Sequence, residues 1–146
     1  MSSTHQQIKA SCLRLLARRE HSQLELLTKL ALKDFEEMEI QDVIDELATK
    51  NLQSDARFAE SYARMRFNKG FGVLKVAYEL KQRGINDFDL QAVIVENFGD
   101  EQTLIQQVYQ KKYALEVELS LKERLKRQRF LEQRGFSYEH INALFK

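Results

Sequence analysis

Proline is absent from this 146-residue chain, and glycine occurs only at 70, 72, 84, 99 and 135. A sheet-rich fold needs many more turn formers. Their scarcity, beside an abundance of Ala, Leu, Glu, Lys, Gln and Arg, points to helices. Cys12 is the single cysteine, so no intramolecular disulfide can form. Its apolar neighbours make it a small core side chain. No apolar run approaches the roughly 20 residues that span a bilayer. The first ten residues are polar and lack the apolar centre of a secretory signal. The expectation is a cytoplasmic protein without a membrane partner. Net charge is only +1, which argues against a general binder of polyanions.

Motifs for chemistry are also missing. His5, His21 and His140 are scattered and none pairs with a cysteine. There is no HExxH, CxxC, phosphate loop or calcium loop. Gly70-Phe71-Gly72 lacks the third glycine and the preceding strand of a dinucleotide fingerprint. The acid pairs Glu36-Glu37 and Asp100-Glu101 suit helix starts, where the macrodipole favours them. The chain reads as a non-enzyme with no cofactor and no metal site.

What is present is an internal repeat. Phe35, Ile85 and Phe136 stand 50 and 51 residues apart. Eleven residues before them come Leu24, Leu74 and Leu125; five before come Leu30, Leu80 and Leu131. Five residues after come Ile40, Leu90 and Ile141; eight after, Val43, Val93 and Leu144; nine after, Ile44, Ile94 and Phe145. Six apolar positions in common register, three times over, signal a repeat architecture. The +5, +8, +9 positions form the stripe of an amphipathic helix. The upstream leucines belong to an earlier helix. Gly84 and Gly135 suit the left-handed position that ends it, and Asp34 holds that place in the first copy.

A leading helix completes each copy, at Thr4–Glu20, Ser54–Lys69 and Asp100–Tyr113. Ser22 with Glu25 forms a capping box, and Ser54, Asn86 and Ser137 suit N-caps. Gly70-Phe71-Gly72 breaks the chain between helices of the second copy. Ala114–Ser120 is an ambiguous join, helical or extended. The fold class expected is all-α: three tandem three-helix repeats, 4–53, 54–99 and 100–146, in an elongated, curved array. Each copy alone has a small core, and stacking on a neighbour supplies the rest.

The near-zero net charge hides local asymmetry. One basic group is Arg64, Arg66, Lys69, Lys75, Lys81 and Arg83, with Glu79 as the lone acid within it. A second is Lys122, Arg124, Lys126, Arg127, Arg129 and Arg134, opposed by Glu123 and Glu132. Lys122, Lys126 and Arg129 follow i, i+4, i+7 and share one helix face. Acidic stretches cover 34–46 and 87–101. For any one cation, a solvated helix face is the default reading. For the 122–134 cluster a partner is favoured, because like charges at i, i+4 destabilise an isolated helix. Phe67, Phe71 and Phe130 are interleaved and could stack on bases, although core packing is their default.

Three motifs carry a resemblance. Leu15-Leu16-Ala17-Arg18-Arg19-Glu20-His21-Ser22-Gln23-Leu24-Glu25-Leu26 resembles the opening motif of the RecX family. Asp55-Ala56-Arg57-Phe58-Ala59-Glu60-Ser61-Tyr62, followed by Arg66, Lys69-Gly70 and Gly72, resembles its central motif. Phe130-Leu131-Glu132-Gln133-Arg134-Gly135-Phe136-Ser137 resembles its closing motif. The similarity runs in order over nearly the whole chain and is weakest at 34–46 and 114–120.

The resemblance implies a bacterial cytoplasmic regulator of the RecA recombinase. Such a protein binds the RecA–DNA filament and inhibits its ATPase, strand exchange and coprotease functions. The partners implied are the RecA filament and single-stranded DNA, with double-stranded DNA as an extension; a monomer is expected. Local charge density nominates Arg64, Arg66, Lys69, Lys75, Lys122, Lys126, Arg127 and Arg129 as contacts to DNA phosphates or acidic protein surface. The alternatives are a stand-alone helical nucleic-acid-binding module and an adaptor that joins two proteins through its acidic and basic segments.

Overall fold

The computed structural model describes residues 3–113 and 118–146. Nine helices occur among them: α1 (Ser3–Arg18), α2 (Gln23–Ala31), α3 (Glu37–Thr49), α4 (Asp55–Asn68), α5 (Val73–Gln82), α6 (Leu90–Phe98), α7 (Glu101–Lys112), α8 (Leu121–Gln133) and α9 (Tyr138–Leu144). The described residues contain no strand and no helix long and apolar enough to cross a membrane. The chain is all-α, with the helices in three sets of three. Residues 114–117 of the ambiguous join lie outside the described residues; 118–120 lead non-helically into α8.

The caps show why the helices begin where they do. The Ser22 hydroxyl accepts from the Glu25 N–H while the Glu25 carboxylate takes the Ser22 N–H, a complete capping box. Ser54 caps α4 through Arg57 N at 3.1 Å, and Ser137 caps α9 through His140 N. Asn86 is not a cap. The third helix of the second repeat starts later than its counterparts, at Leu90, where the Asp89 carboxylate accepts from Ala92 N. A cap must directly precede the first helical residue, and residues 85–88 stay irregular.

By compactness the chain divides into two units, Met1–Ser61 with Leu80–Phe88 and Tyr62–Glu79 with Asp89–Lys146. The boundary runs through the second repeat, so α4 and α5 contribute to both. The first unit has an aliphatic core of Ile8, Cys12, Leu26, Leu30, Ile40, Val43, Ile44 and Leu47. Cys12 is fully enclosed, and burial pushes its thiol up to about 11. In the second unit Phe67, Val76, Ile94, Leu104, Ile105 and Leu131 are enclosed.

Two repeat leucines behave differently. The position five before the anchor is buried in all copies (Leu30, Leu80, Leu131). The position eleven before is 41, 59 and 49% exposed at Leu24, Leu74 and Leu125. For two of these, the first turn of the second helix meets a turn glycine of the following repeat. In the first unit, a Cβ on Gly84 would lie 3.0 Å from Leu24 Cβ. In the second, a Cβ on Gly135 would lie 2.6 Å from Lys75 N, and Leu74 N donates to Gly135 O at 3.0 Å. Gly84 and Gly135 thus serve twice: their φ values of +85° and +97° close the preceding helix, and their bareness admits a neighbour. Asp34 does not take the left-handed conformation. Among the described residues only Asn51, after α3, combines a side chain with positive φ. The chain after α2 turns instead through Lys33 N to Leu30 O and Phe35 N to Lys33 O.

Candidate nucleic-acid interface

Basic residues gather in the second unit, and the backbone there explains how. Between α4 and α5, Gly70 takes φ +93°, and Gly72 N donates to Arg134 O at 2.7 Å. A Cβ at Gly72 would lie 2.7 Å from the Gly135 carbonyl carbon, so only glycine allows this approach. The contact brings the α4–α5 turn, with Lys69 and Phe71, against the end of α8. Arg134 returns the link, donating from Nη1 to Lys69 O at 3.1 Å.

Phe71 is the hub of a cation cluster. The Arg66 guanidinium lies 3.8 Å from its ring centroid, Arg134 4.9 Å and Lys75 Nζ 5.0 Å. Arg66 also grips Glu79 with two parallel bonds, Nε to Oε1 at 2.9 Å and Nη2 to Oε2 at 2.8 Å, while the Tyr62 hydroxyl donates to the same carboxylate. Burial acts to raise the Glu79 carboxyl, but these bonds and the Arg66 charge outweigh it and hold it below the usual range. Arg66 therefore has an internal post, and the lone acid of its cluster is its partner.

Helix α8 is attached in an unusual way. Its only buried residues are Leu131 and Arg127, and Arg127 is 5% exposed. Arg127 Nε donates to Glu123 Oε1 at 3.0 Å, Nη1 donates to the Tyr109 hydroxyl at 2.8 Å, and the guanidinium lies 4.3 Å from the Tyr113 ring centroid. Charge, hydrogen bonds and a π face together satisfy a cation that burial would otherwise disfavour. Ser120 caps the helix through Glu123 N. With Arg127 turned inward, Lys122, Lys126 and Arg129 are exposed. Among the described residues no carboxylate pairs with any of the three.

A cleft of about 570 Å³ opens beside this helix. Phe67, Phe98, Leu104 and Val108 form its apolar floor, with Phe67 and Phe98 edge to face at 6.4 Å. Lys69, Lys111, Lys112 and Arg134 line it as well, and among the described residues no carboxylate does. The half-buried Phe130 carries Lys112 Nζ at 3.9 Å and Arg134 at 5.0 Å from its centroid.

The eight nominated residues therefore have different fates. Lys122, Lys126 and Arg129 share one exposed face, and Lys69 lines the cleft. Lys75 and Arg66 flank Phe71; Arg64 is partly buried and has a partner of its own. Arg127 is enclosed. Of the interleaved aromatics, Phe67 is core, whereas Phe71 and Phe130 are partly buried under cations. Lys111, Lys112 and Arg134 were not nominated. The adjacent Lys111-Lys112 pair at the end of α7 was visible as charge, but only the fold faces it toward Phe130. Among the described residues no group of three His, Cys, Asp or Glu could hold a metal ion.

Comparisons with known proteins agree along the whole chain. Sequence models of the first, second and third three-helix domains of RecX match residues 9–47, 54–94 and 100–145. Regulatory protein RecX of Legionella pneumophila (strain Corby) is 38% identical over 136 residues, covering 93% of this chain and 91% of that protein. Regulatory protein RecX of Pseudomonas entomophila (strain L48) is 36% identical over 137 residues, covering 94% and 88%. The crystal structure of RecX from Lactobacillus salivarius superposes with a TM-score of 0.77 at 21% identity, over 99% of this chain and 96% of that one, so the fold is shared. With its three domains in order and its close relatives matched nearly end to end, this chain belongs to the RecX family.

Proposed function

We propose that this protein regulates RecA by binding the RecA–DNA filament without catalysing a reaction, lowering its ATPase, strand-exchange and coprotease activities. The carrying observation is the exposed cation row Lys122, Lys126 and Arg129, which has no carboxylate partner among the described residues, on a helix whose buried cation Arg127 is satisfied internally. Cations held out in this way gain by releasing counterions from a phosphate backbone. The same row would also suit an acidic protein surface. Lys69, Lys111, Lys112 and Arg134 extend the positive field, while Arg66 and Arg127 act by holding α4, α5 and α8 in place. The division into repeats at 4–53, 54–99 and 100–146 is part of this reading, as is action on cytoplasmic RecA as a monomer.

The test is single-stranded-DNA-dependent ATP hydrolysis by the cognate RecA. Inhibition is expected at a small fraction of the RecA concentration. Reversing Lys122, Lys126 and Arg129 together to Glu should raise the concentration needed at least tenfold, with the helical circular dichroism unchanged. Full inhibition by the folded triple variant would remove α8 from the interface, and unaltered ATP turnover at molar excess of the native protein would sink the ATPase-inhibitor reading. A stand-alone DNA-binding module is the second reading, favoured by the four cations that line the cleft. It requires equal affinity for naked DNA and for filaments, with a steep salt dependence in both cases.

A further inference from the structure

We propose that the cleft of the second unit receives one unpaired base of a single strand, with its phosphate held by the rim cations. This inference rests on the DNA-binding part of the reading above and names the form of DNA it takes. Three observations carry it. The cleft has two chemistries in one place, an apolar floor and four cations, with no carboxylate among its described lining residues. A nucleotide has the same two, a flat weakly polar base joined to an anion. Its volume of about 570 Å³ falls within the range of about 300–1,000 Å³ typical of clefts that enclose small organic groups.

The third observation is continuity. Lys122, Lys126 and Phe130 follow i, i+4, i+8, one row along α8 about 12 Å long. A backbone tracked by Lys122 and Lys126 is thus led to Phe130 and Arg134 at the cleft. The floor, rather than the Phe130 ring, is the place for the base, because Lys112 and Arg134 already lie against Phe130. A base inside a duplex cannot reach the floor without leaving its stack and its pair. The cleft therefore favours single strands, whereas the exposed row on α8 does not discriminate.

The experiment compares a labelled oligothymidylate, an abasic strand of equal length and charge, and a hairpin duplex, by fluorescence anisotropy with the native protein at low salt. The oligothymidylate is expected to bind about tenfold more tightly than the abasic strand, in line with the contribution of one well-seated base. Gln107, an exposed residue of the cleft wall, offers a way to fill the space at constant charge. Gln107→Trp should bring oligothymidylate affinity down to that of the abasic strand. Equal binding of the two strands by the native protein overturns the proposal without needing any variant, and a tenfold gap that survives in Gln107→Trp overturns it too. Free thymidine monophosphate competing as well as the strand would overturn the assignment to a strand. Failure to bind any of the three DNAs would instead remove the DNA-binding reading on which the proposal rests.

Discussion

Helices α3 and α8 are both 13 residues long and carry opposite charge. The first has five acids and no Lys or Arg; the second has five cations and two acids. They are held in different ways. Helix α3 buries Ile40, Val43, Ile44 and Leu47, so apolar burial is its main anchor, with Glu46 adding bonds to His5 and Lys9 of α1. Helix α8 buries one leucine and one arginine, so its seat depends on directed contacts from Arg127 to Tyr109 and Tyr113, with Glu123 of the same helix orienting the guanidinium. A helix with so narrow an apolar stripe leaves most of its circumference for cations. The acidic helix is anchored like ordinary core, and the basic one is fitted to present charge.

The largest effect should come from the apolar anchor. Ile44→Ala in α3 is expected to cost about 3–4 kcal/mol in urea unfolding, since Ile44 is fully buried among close-packed neighbours. A cost under 1 kcal/mol would show that the first unit is loosely packed. The two repeat glycines give a matched test across the units. Gly135→Ala should destabilise by about 2–3 kcal/mol and Gly84→Ala by about 1–2, because both demand positive φ. The difference follows from their neighbours: an added Cβ meets backbone nitrogen at Gly135 and a leucine side chain at Gly84. The reverse order would mean that the α4–α5 turn yields more easily than its geometry indicates.

Arg127→Met keeps an unbranched apolar stem but removes the guanidinium and its donors. A loss of about 1–2 kcal/mol is expected, with weaker filament inhibition as α8 loosens. Unchanged thermal stability would show that Leu131 and the Ser120 cap suffice to seat the helix. The smallest effect is with pH. In the first unit, hydrogen bonds from Lys9, Lys50 and His5 pull the Glu46 carboxyl down to about 2. Its pKa is lowered on folding, so its contribution is present above the ordinary value near 4.5 and is lost as pH falls toward 2. Burial, reinforced by the Arg19 and Lys29 charges, likewise lowers the enclosed His21, against the opposing pull of its hydrogen bond to the Arg19 carbonyl. It favours the neutral ring, so stability should begin to decline as pH drops below 6.5. Glu46→Gln should flatten the acid limb, and His21→Gln the shoulder above it; melting temperature against pH reads both.

Periodicity and punctuation were legible in the sequence. The helix stripes at +5, +8 and +9, the Ser22–Glu25 box and the glycines at 84 and 135 are local, and local rules govern them. Two features misled at the same level. Asp34 shares its register with two glycines but not their conformation, because the chain after α2 turns without a left-handed residue. Asn86 stands where Ser137 stands in the next copy, yet α6 begins at Leu90, capped by Asp89.

The sequence by itself determined the helical class, the threefold repeat, the family and the location of the charge, since each depends on spacing along the chain. Tertiary structure decided which cations look outward. Lys122 and Arg127 are equivalent as charges in the sequence, but one meets solvent and the other meets Tyr109, Tyr113 and Glu123. It also brought Lys69, Lys111, Lys112 and Arg134 around one cleft. Of these, Lys69 and Arg134 are distant in the chain and meet because Gly72 and Gly135 let two turns touch, a close approach that depends on missing side chains rather than on any pattern of present ones.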